Sequence, residues 1–529
     1  MPDRIVSEIP VERYPGLPAL FLDFVRGESA LYPDPPTIDA AVVRARELLG
    51  RPSPAALPAS AFHHRSASGR PAAEEVASGR AVAVLAGHQI GLFTGPLFTV
   101  VKALDSVAFA RELSRRGVPA VAVFWALTDD HDLEEIARTA KPGPEGPEKF
   151  LLEGADRSNR SPVGTLTIPE RIEGIVEAFR SDARGPGASE ILDAFANRYR
   201  AGRTYRDAFL DTLFDLVGDD PLLVVDPLSP DVSEAARGFF LAAAGRREEV
   251  REILRRGAEA VAEAGREPPV AYREDLFPFF VIEEGVRRRV NAAEVDDAAR
   301  KVERGEARVS ADVLTRPVLK SLVLPAALSV LGPSEIAYHS QSLPLFTAFG
   351  AAAPVLVPRS LLVLRGPAER RAQQALGVAD ADLLTPDAAK GDAPVVAEAE
   401  RVAEIGRRLE AELSTVAPEV SRLDPTLAGA LETARRKATY QLEQLAERIR
   451  KAAERKDEVA LQRRKRLETM VLPDGAPAER VYPPLVSMLA WGRTVIDSLR
   501  AAAGRGPGDV AILDVETAAG AEIEKVRAG

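Results

Sequence analysis

Residues 82–132 constrain the fold most. Residues 82–86 form a short apolar run bounded by Arg80 and Gly87, the pattern of a strand buried on both faces. Gly87, Gly91 and Gly95 follow. Pro96 then opens a segment in which Leu97, Val100, Val101, Leu104, Val107 and Ala108 recur at helical spacing. Gly95 at the N-cap and Pro96 at the first helical position predict the helix start. Gly117 ends this helix, and a second apolar run, 118–126, leads into Thr128, Asp129, Asp130, His131 and Asp132. Strand, glycine loop, helix and strand at the length of one βαβ unit predict the opening of a doubly wound α/β sheet.

Further elements extend that core. Residues 222–225 and 354–357 read as buried strands, 279–290 as a hairpin turning at Glu284 and Gly285, and 322–331 as another apolar segment. Helical spacing marks 191–199, 209–217 and one long stretch, 233–265. From 398 onward a narrow apolar stripe on a charged background, Val402, Ile405, Leu409, Leu413 and Val416, predicts a coiled-coil seam with a break at Pro418. The stripe resumes at Ala438, Leu442, Leu445, Ile449, Ala452 and Val459. The seam can close within one chain or between two. The expected organisation is a core at 1–365 with insertions at about 141–220 and 230–310, a linker at 366–397, a helical coiled-coil domain at 398–472, and a C-terminal segment, 473–529, packing back on the core.

Composition narrows the chemistry. With no cysteine there is no disulfide framework, thiolate nucleophile, iron–sulfur cluster or sulfur-ligated zinc, and five histidines leave little for a metal site. The balance of 69 basic against 79 acidic residues argues against a general nucleic-acid surface. No apolar stretch reaches the length that spans a bilayer, and residues 1–12 lack the features of a secretory signal. A soluble cytoplasmic protein is expected.

Three groups of residues carry candidate chemistry. Gly87, His88, Gln89, Gly91, Thr94 and Gly95 stand between a strand and a helix start, where exposed N–H groups favour a phosphate or carboxylate. The spacing is neither a P-loop nor a dinucleotide fingerprint, and a tight structural turn with His88 as a hydrogen-bonder explains it as well. Asp129, Asp130, His131 and Asp132, at the end of the neighbouring strand, either take a proton or hold Mg²⁺. Asp132 with Glu135 is also the pattern of a capping box. Glu335 and Tyr338 follow the 322–331 segment and can share one crevice, with Arg359 as an anion partner. Arg463, Arg464, Lys465 and Arg466 alternate with acids and read as a solvated helix face.

Several stretches, in this order, resemble the BshC family, the cysteine ligase of bacillithiol synthesis. They are residues 87–96, 123–125 with 129–136, 316–317, 324–325, 332–338, 357–359, 472–475 and 479–481. The resemblance covers most of the chain. It implies a Rossmann-like core interrupted by connecting-peptide insertions, together with a coiled-coil domain offering a homodimer contact. It also implies a reaction joining the carboxyl of cysteine to the amine of glucosaminyl-malate. The core of the family is similar to class I aminoacyl-tRNA synthetases. Here His88 and Gly91 loosely resemble half of a His-x-Gly-His signature, with one more residue between them, and no Lys-Met-Ser-Lys loop is present. The expectation is an amide-forming ligase using ATP. Gly87, Gln89, Gly91, Thr94 and Gly95 would hold the phosphate or carboxylate, and His88 would stabilise developing charge. One of Asp129, Asp130, His131 or Asp132 would accept the amine proton or hold Mg²⁺, and Glu335, Tyr338 and Arg359 would line the substrate pocket. A nucleotidyl transferase with another acceptor, or a coiled-coil scaffold without activity, are the alternatives.

Overall fold

A computed structural model describes residues 5–154, 160–385, 397–424, 427–506 and 508–516, side chains at 453–457 excepted. The chain divides into two units. One comprises 1–368, 379–385 and 469–529, and the other 369–378 and 386–468.

The first unit is organised by a six-stranded sheet. In chain order its strands are β1 (Phe62–His63), β2 (Val82–His88), β3 (Ala120–Ala126), β4 (Leu222–Val225), β5 (Ala326–Leu331) and β6 (Val355–Pro358). Their spatial order is β6-β5-β2-β3-β4-β1. All neighbours pair in parallel except β1, which runs antiparallel to β4. From β2 the chain proceeds outward through β3 and β4, then returns to lay β5 and β6 on the opposite side. The order therefore reverses between β2 and β5, and the crevice beyond the carboxyl ends of those strands is where open sheets of this kind bind ligands.

Alternation along β2 explains why both faces are covered. Val82, Val84 and Ala86 pack with Val100, Val101 and Leu104 of helix α1 (Phe98–Arg115), whereas Ala83 and Leu85 join Phe239, Phe240 and Phe279 on the other face. With no polar face to show, each central strand is a continuous apolar run.

Several expectations need adjustment. Helix α1 starts at Phe98, two residues after Pro96: Thr99 N–H closes a tighter turn on Pro96 O, and Val101 N–H to Leu97 O is the bond that opens the regular helix. The 322–331 segment is not one element: it holds the end of helix α2 (Arg316–Val323) and then β5. The stretch 233–265 is two helices, Pro230–Gly245 and Arg247–Glu263, meeting at Arg246. Residues 138–151 form the hairpin Arg138–Gly143 and Gly146–Leu151. The hairpin Leu276–Glu283 and Val286–Asn291 turns at Glu284 and Gly285 as expected, with φ of 50° and 81°. A second small sheet joins Ile5–Ile9, Val510–Asp514 and Leu362–Arg365, so strands near both ends of the sequence meet. Within the expected linker stands the helix Pro367–Leu376, while 386–396 and 517–529 lie outside the described residues.

The second unit is a helical hairpin. Its arms belong to helices Ala397–Leu423 and Leu427–Val471, and Pro418 lies inside the first instead of breaking it. A proline removes one backbone donor, a loss of about 3 kcal/mol that a 27-residue helix survives. The arms meet within one chain. Leu442 packs over Gly406, and Arg435 pairs with Glu410 at 3.1 Å. No described helix is long and apolar enough to cross a membrane.

Candidate active site

The site is assembled by the loops that follow β2, β3 and β5. The glycine turn after β2 is held by its own backbone and by Tyr199. Phe93, Thr94 and Gly95 all have positive φ, 52°, 74° and 71°. Such a run is costly for non-glycine residues and persists only when its surroundings enforce it. Tyr199 supplies that enforcement: its hydroxyl accepts from Thr94 N–H at 2.8 Å and donates to Gly91 O at 3.2 Å. The Phe93 ring is boxed by Phe179, Phe195 and Tyr199. Two of the glycines answer to close packing. A Cβ on Gly87 would stand 2.7 Å from Trp125 O, and one on Gly91 would stand 3.0 Å from Gly95 Cα.

This geometry revises the anion-cradle expectation. Thr94 N–H is bonded to Tyr199, Gly95 N–H to Leu92 O and Leu97 N–H to Tyr482 O. Thr94 is wholly buried, with its hydroxyl on Phe93 O. His88, Gln89, Gly91 and Gly95 line a cavity of about 760 Å³, but they do not form a continuous row of free amides.

Beyond β2 lies a charged cluster that sequence reasoning missed in part. Lys102, on the buried side of α1, donates to Gly87 O at 2.9 Å and forms an ion pair with Glu335. Glu335 is in the first turn of helix α3 (Pro333–Ala348) and accepts from Gly332 N–H at 2.6 Å. Burial opposes its ionisation, yet Lys102 and the Gly332 amide prevail and bring its pKa down to about 2. Burial, aided by Lys102, lowers His88 to about 3, and its Nδ1 lies 3.3 Å from Thr99 Oγ1. His339 donates from Nδ1 to Glu335 O at 2.7 Å and is lowered by burial to about 4. Burial and Glu335 raise the Tyr338 phenol. Lys320 of α2 completes the cluster. A lysine inside the otherwise apolar buried run 100–104 was the available signal for Lys102, since such a cation needs a partner.

The acidic loop after β3 is held by charge. Gln89 Nε2 donates to Asp130 Oδ2 at 2.9 Å, which places the glycine turn and the acidic loop on the same side of the sheet. Asp130 Oδ1 accepts from Arg287 at 3.0 Å and from His131 N–H at 2.7 Å. Against the cost of burial, hydrogen bonding by His131 and the charges of Arg316 and Arg287 hold Asp130 far below the ordinary carboxylate range. Arg287 also donates to His131 Nδ1 at 2.6 Å, which puts the proton of the neutral ring on Nε2. Arg287 stacks over Phe280 at 3.6 Å and donates to Ser310 Oγ, which in turn donates to Asp129 Oδ2 at 2.6 Å. Asp132 caps the short helix Leu133–Ile136, accepting from Glu135 N–H at 2.9 Å. Asp130, His131, Asp132, Arg287 and Arg316 line a second cavity of about 470 Å³, and Glu135 lines both.

Arg359 departs from its expected role. Its guanidinium is buried in an ion pair with Glu479 at 2.8 Å and stacks on Phe98 at 4.8 Å, so it does not face either cavity. Mg²⁺ does not fit the acidic loop: Asp129, Asp130 and Asp132 turn to different partners. Among the described residues no group of three or more His, Asp or Glu side chains converges on one point. The larger cavity is within the size range of small-molecule sites and is lined by Phe98, Phe150 and Arg480, and by Arg138 and Lys149, which pair with Glu134 and, at 2.6 Å, with Asp474.

Comparison with known proteins bears on most of the chain. The model for "Bacillithiol biosynthesis BshC, N-terminal Rossmann-like domain" matches residues 61–360, and that for the C-terminal coiled-coil domain of BshC matches 395–513. A protein of Solibacter usitatus (strain Ellin6076) is 30% identical over 452 residues, covering 80% of this chain and 82% of the relative. One from Heliobacterium modesticaldum is 27% identical, covering 81% and 82%, and one from Bacillus cereus (strain AH187) is 26% identical, covering 78% and 81%. Each relative bears the name "Putative cysteine ligase BshC".

Proposed function

The chain belongs to the BshC family and is a ligase; from that premise we propose that it joins the carboxyl of cysteine to the amine of glucosaminyl-malate in the cytoplasm, the last step to bacillithiol. A carboxylate is a poor electrophile with a poor leaving group, so amide formation in water requires activation. In this reading ATP supplies the leaving group. Arg138, Lys149 and Arg480 hold its phosphates in the larger cavity, and His88 and Gln89 orient the activated carboxyl at the end of β2.

The observation that carries the proposal is the Gln89–Asp130 hydrogen bond, which ties the loop after β2, the strand at the edge of the β2–β5 crevice, to the loop after β3. It draws two cavities into one neighbourhood, one lined by Arg138, Lys149 and Arg480 and one in which Arg287, Arg316 and Asp130 can orient a polar second substrate. Lys102 and Glu335 fix the crevice floor. In the helical unit, the exposed apolar side chains Leu445, Val459 and Leu461 support a homodimer through the long arm.

The test is mass-spectrometric: cysteine, glucosaminyl-malate and ATP with the purified chain. A thiol amide product formed with stoichiometric nucleotide consumption is expected. Nucleotide turnover without that product would reject the substrate assignment.

A further inference from the structure

Two lysines converge on the end of β2, and they are not equivalent. Lys102 is closed off by Gly87 O and Glu335. Lys320, four residues after Arg316 on the same face of α2, brings its Nζ within 3.5 Å of where a Cβ on Gly87 would stand, and 5.7 Å from the Trp125 ring centre. It makes no hydrogen bond or ion pair to any described residue, although an interior ammonium ordinarily has one. It is also partly accessible to solvent.

The surroundings of Lys320 explain how it persists there. Arg316 lies on its own helix, Glu335 and His339 on α3, Lys102 on α1, and Asp129 on the loop after β3. Burial disfavours the ammonium most, Arg316 and Lys102 add to that, and Glu335 and Asp129 offset it only in part. The outcome is a pKa of about 7. Of the other candidates for a base, Asp130 is clamped by Gln89 and Arg287, His131 Nδ1 accepts from Arg287, Asp129 Oδ2 accepts from Ser310, Asp132 caps a helix, and His88 is too weakly basic; Glu135, which burial and the charge of Asp132 raise to about 7, is the rival base.

We propose that Lys320, in its neutral form, is the catalytic base that takes the proton from the attacking amine as the amide bond forms at the β2–β5 crevice. This rests on the ligase reading above. The amine lone pair forms the C–N bond to a carboxyl carbon activated by a nucleoside triphosphate. The bond from that carbon to the phosphate oxygen breaks, and its electron pair leaves with the phosphate. The proton shed by the nitrogen passes to Lys320 Nζ, which becomes an ammonium and returns the proton to solvent before the next turnover.

Two measurements on the full chain decide this. Acetic anhydride labelling across pH, read by peptide mass spectrometry, gives the titration midpoint of Lys320 without any substrate. A midpoint near 7 is expected, and one above about 9, approaching the ordinary lysine value near 10.4, overturns the role. In the product assay, Lys320→Met and Lys320→Arg are both expected to lower kcat at least ~100-fold, the low end for a lost general base. The KM for the amine should change little, and the acidic limb of the wild-type rate profile near pH 7 should vanish. Arginine keeps the charge and cannot shed a proton, so a Lys320→Arg enzyme near the wild-type rate overturns the proposal even if Lys320→Met is unstable. A wild-type chain that makes no thiol product refutes the substrate assignment instead, and the labelling midpoint still judges Lys320.

Discussion

The glycine turn after β2 and the acidic loop after β3 touch through Gln89 and Asp130, yet one is shaped by sterics and the other by charge. In the turn, Gly87 and Gly91 leave no room for a side chain, and Tyr199 closes the backbone around Phe93 and Thr94. In the loop, Asp129, Asp130 and His131 are fixed by Ser310 and Arg287 from a distant segment, while Asp132 caps its own short helix. A turn held by packing tolerates little change in volume but is indifferent to pH. A loop held by charge tolerates volume and depends on keeping its partners. The cluster at Lys102 and Glu335 joins the two, since Lys102 bonds both the Gly87 carbonyl and a carboxylate of α3.

The sharpest way to break this arrangement is at that junction. Lys102 is 1% exposed, so Lys102→Met leaves Glu335 as an uncompensated charge in the crevice. A loss of about 3–5 kcal/mol is expected from urea unfolding of the first unit, the range seen when one partner of a buried pair is removed. The double variant Lys102→Met, Glu335→Leu should recover part of that loss, because neither charge then remains. A loss in the double variant equal to the sum of the losses in Lys102→Met and Glu335→Leu would show that the pair is not coupled.

The turn gives the next effect. Tyr199→Phe removes one hydroxyl and leaves Thr94 N–H buried without an acceptor, at a cost of about 1–3 kcal/mol. The loss should be independent of pH between 6 and 9, since no charge changes. Amide hydrogen exchange would locate it, with Thr94 exchanging faster and the helix α1 interior unchanged. If protection is lost equally throughout α1, the turn is not held by Tyr199.

What the sequence made legible follows from how far apart the interacting residues are. The β2–helix–β3 unit, β4 and the Glu284–Gly285 hairpin are local patterns, and all are present at or near their expected bounds. So is the Asp132–Glu135 cap, three residues long. The partners that define the site are not local. Lys102 and Glu335 are separated by 233 residues, Arg287 and Asp130 by 157. Nothing in the spacing of Arg287 along an edge hairpin distinguishes it from a solvated arginine. The anion-cradle expectation for Gly95 and Thr94 went astray for a related reason: Tyr199, which takes the Thr94 N–H, and Tyr482, which takes that of Leu97, arrive from 105 and 385 residues away, while the Gly95 N–H closes locally on Leu92 O. Glycine spacing reported a constrained backbone, and it was the backbone itself that required the space.

The smallest effect separates capping from chemistry within the acidic loop. Asp132 is exposed and accepts only from the N–H three residues on, whereas Asp130 is held by Arg287 and Gln89. Asp132→Ala removes the cap of a four-residue helix and should cost about 1 kcal/mol, while Asp132→Asn, itself a good N-cap, should cost no more than a few tenths. Amide formation should proceed at the wild-type rate in both, because a capping oxygen needs a lone pair and not a charge. A proton acceptor needs the charge. A ~100-fold fall in kcat for Asp132→Asn, with stability unchanged, would therefore move Asp132 from the scaffold to the reaction and take the role of base away from Lys320.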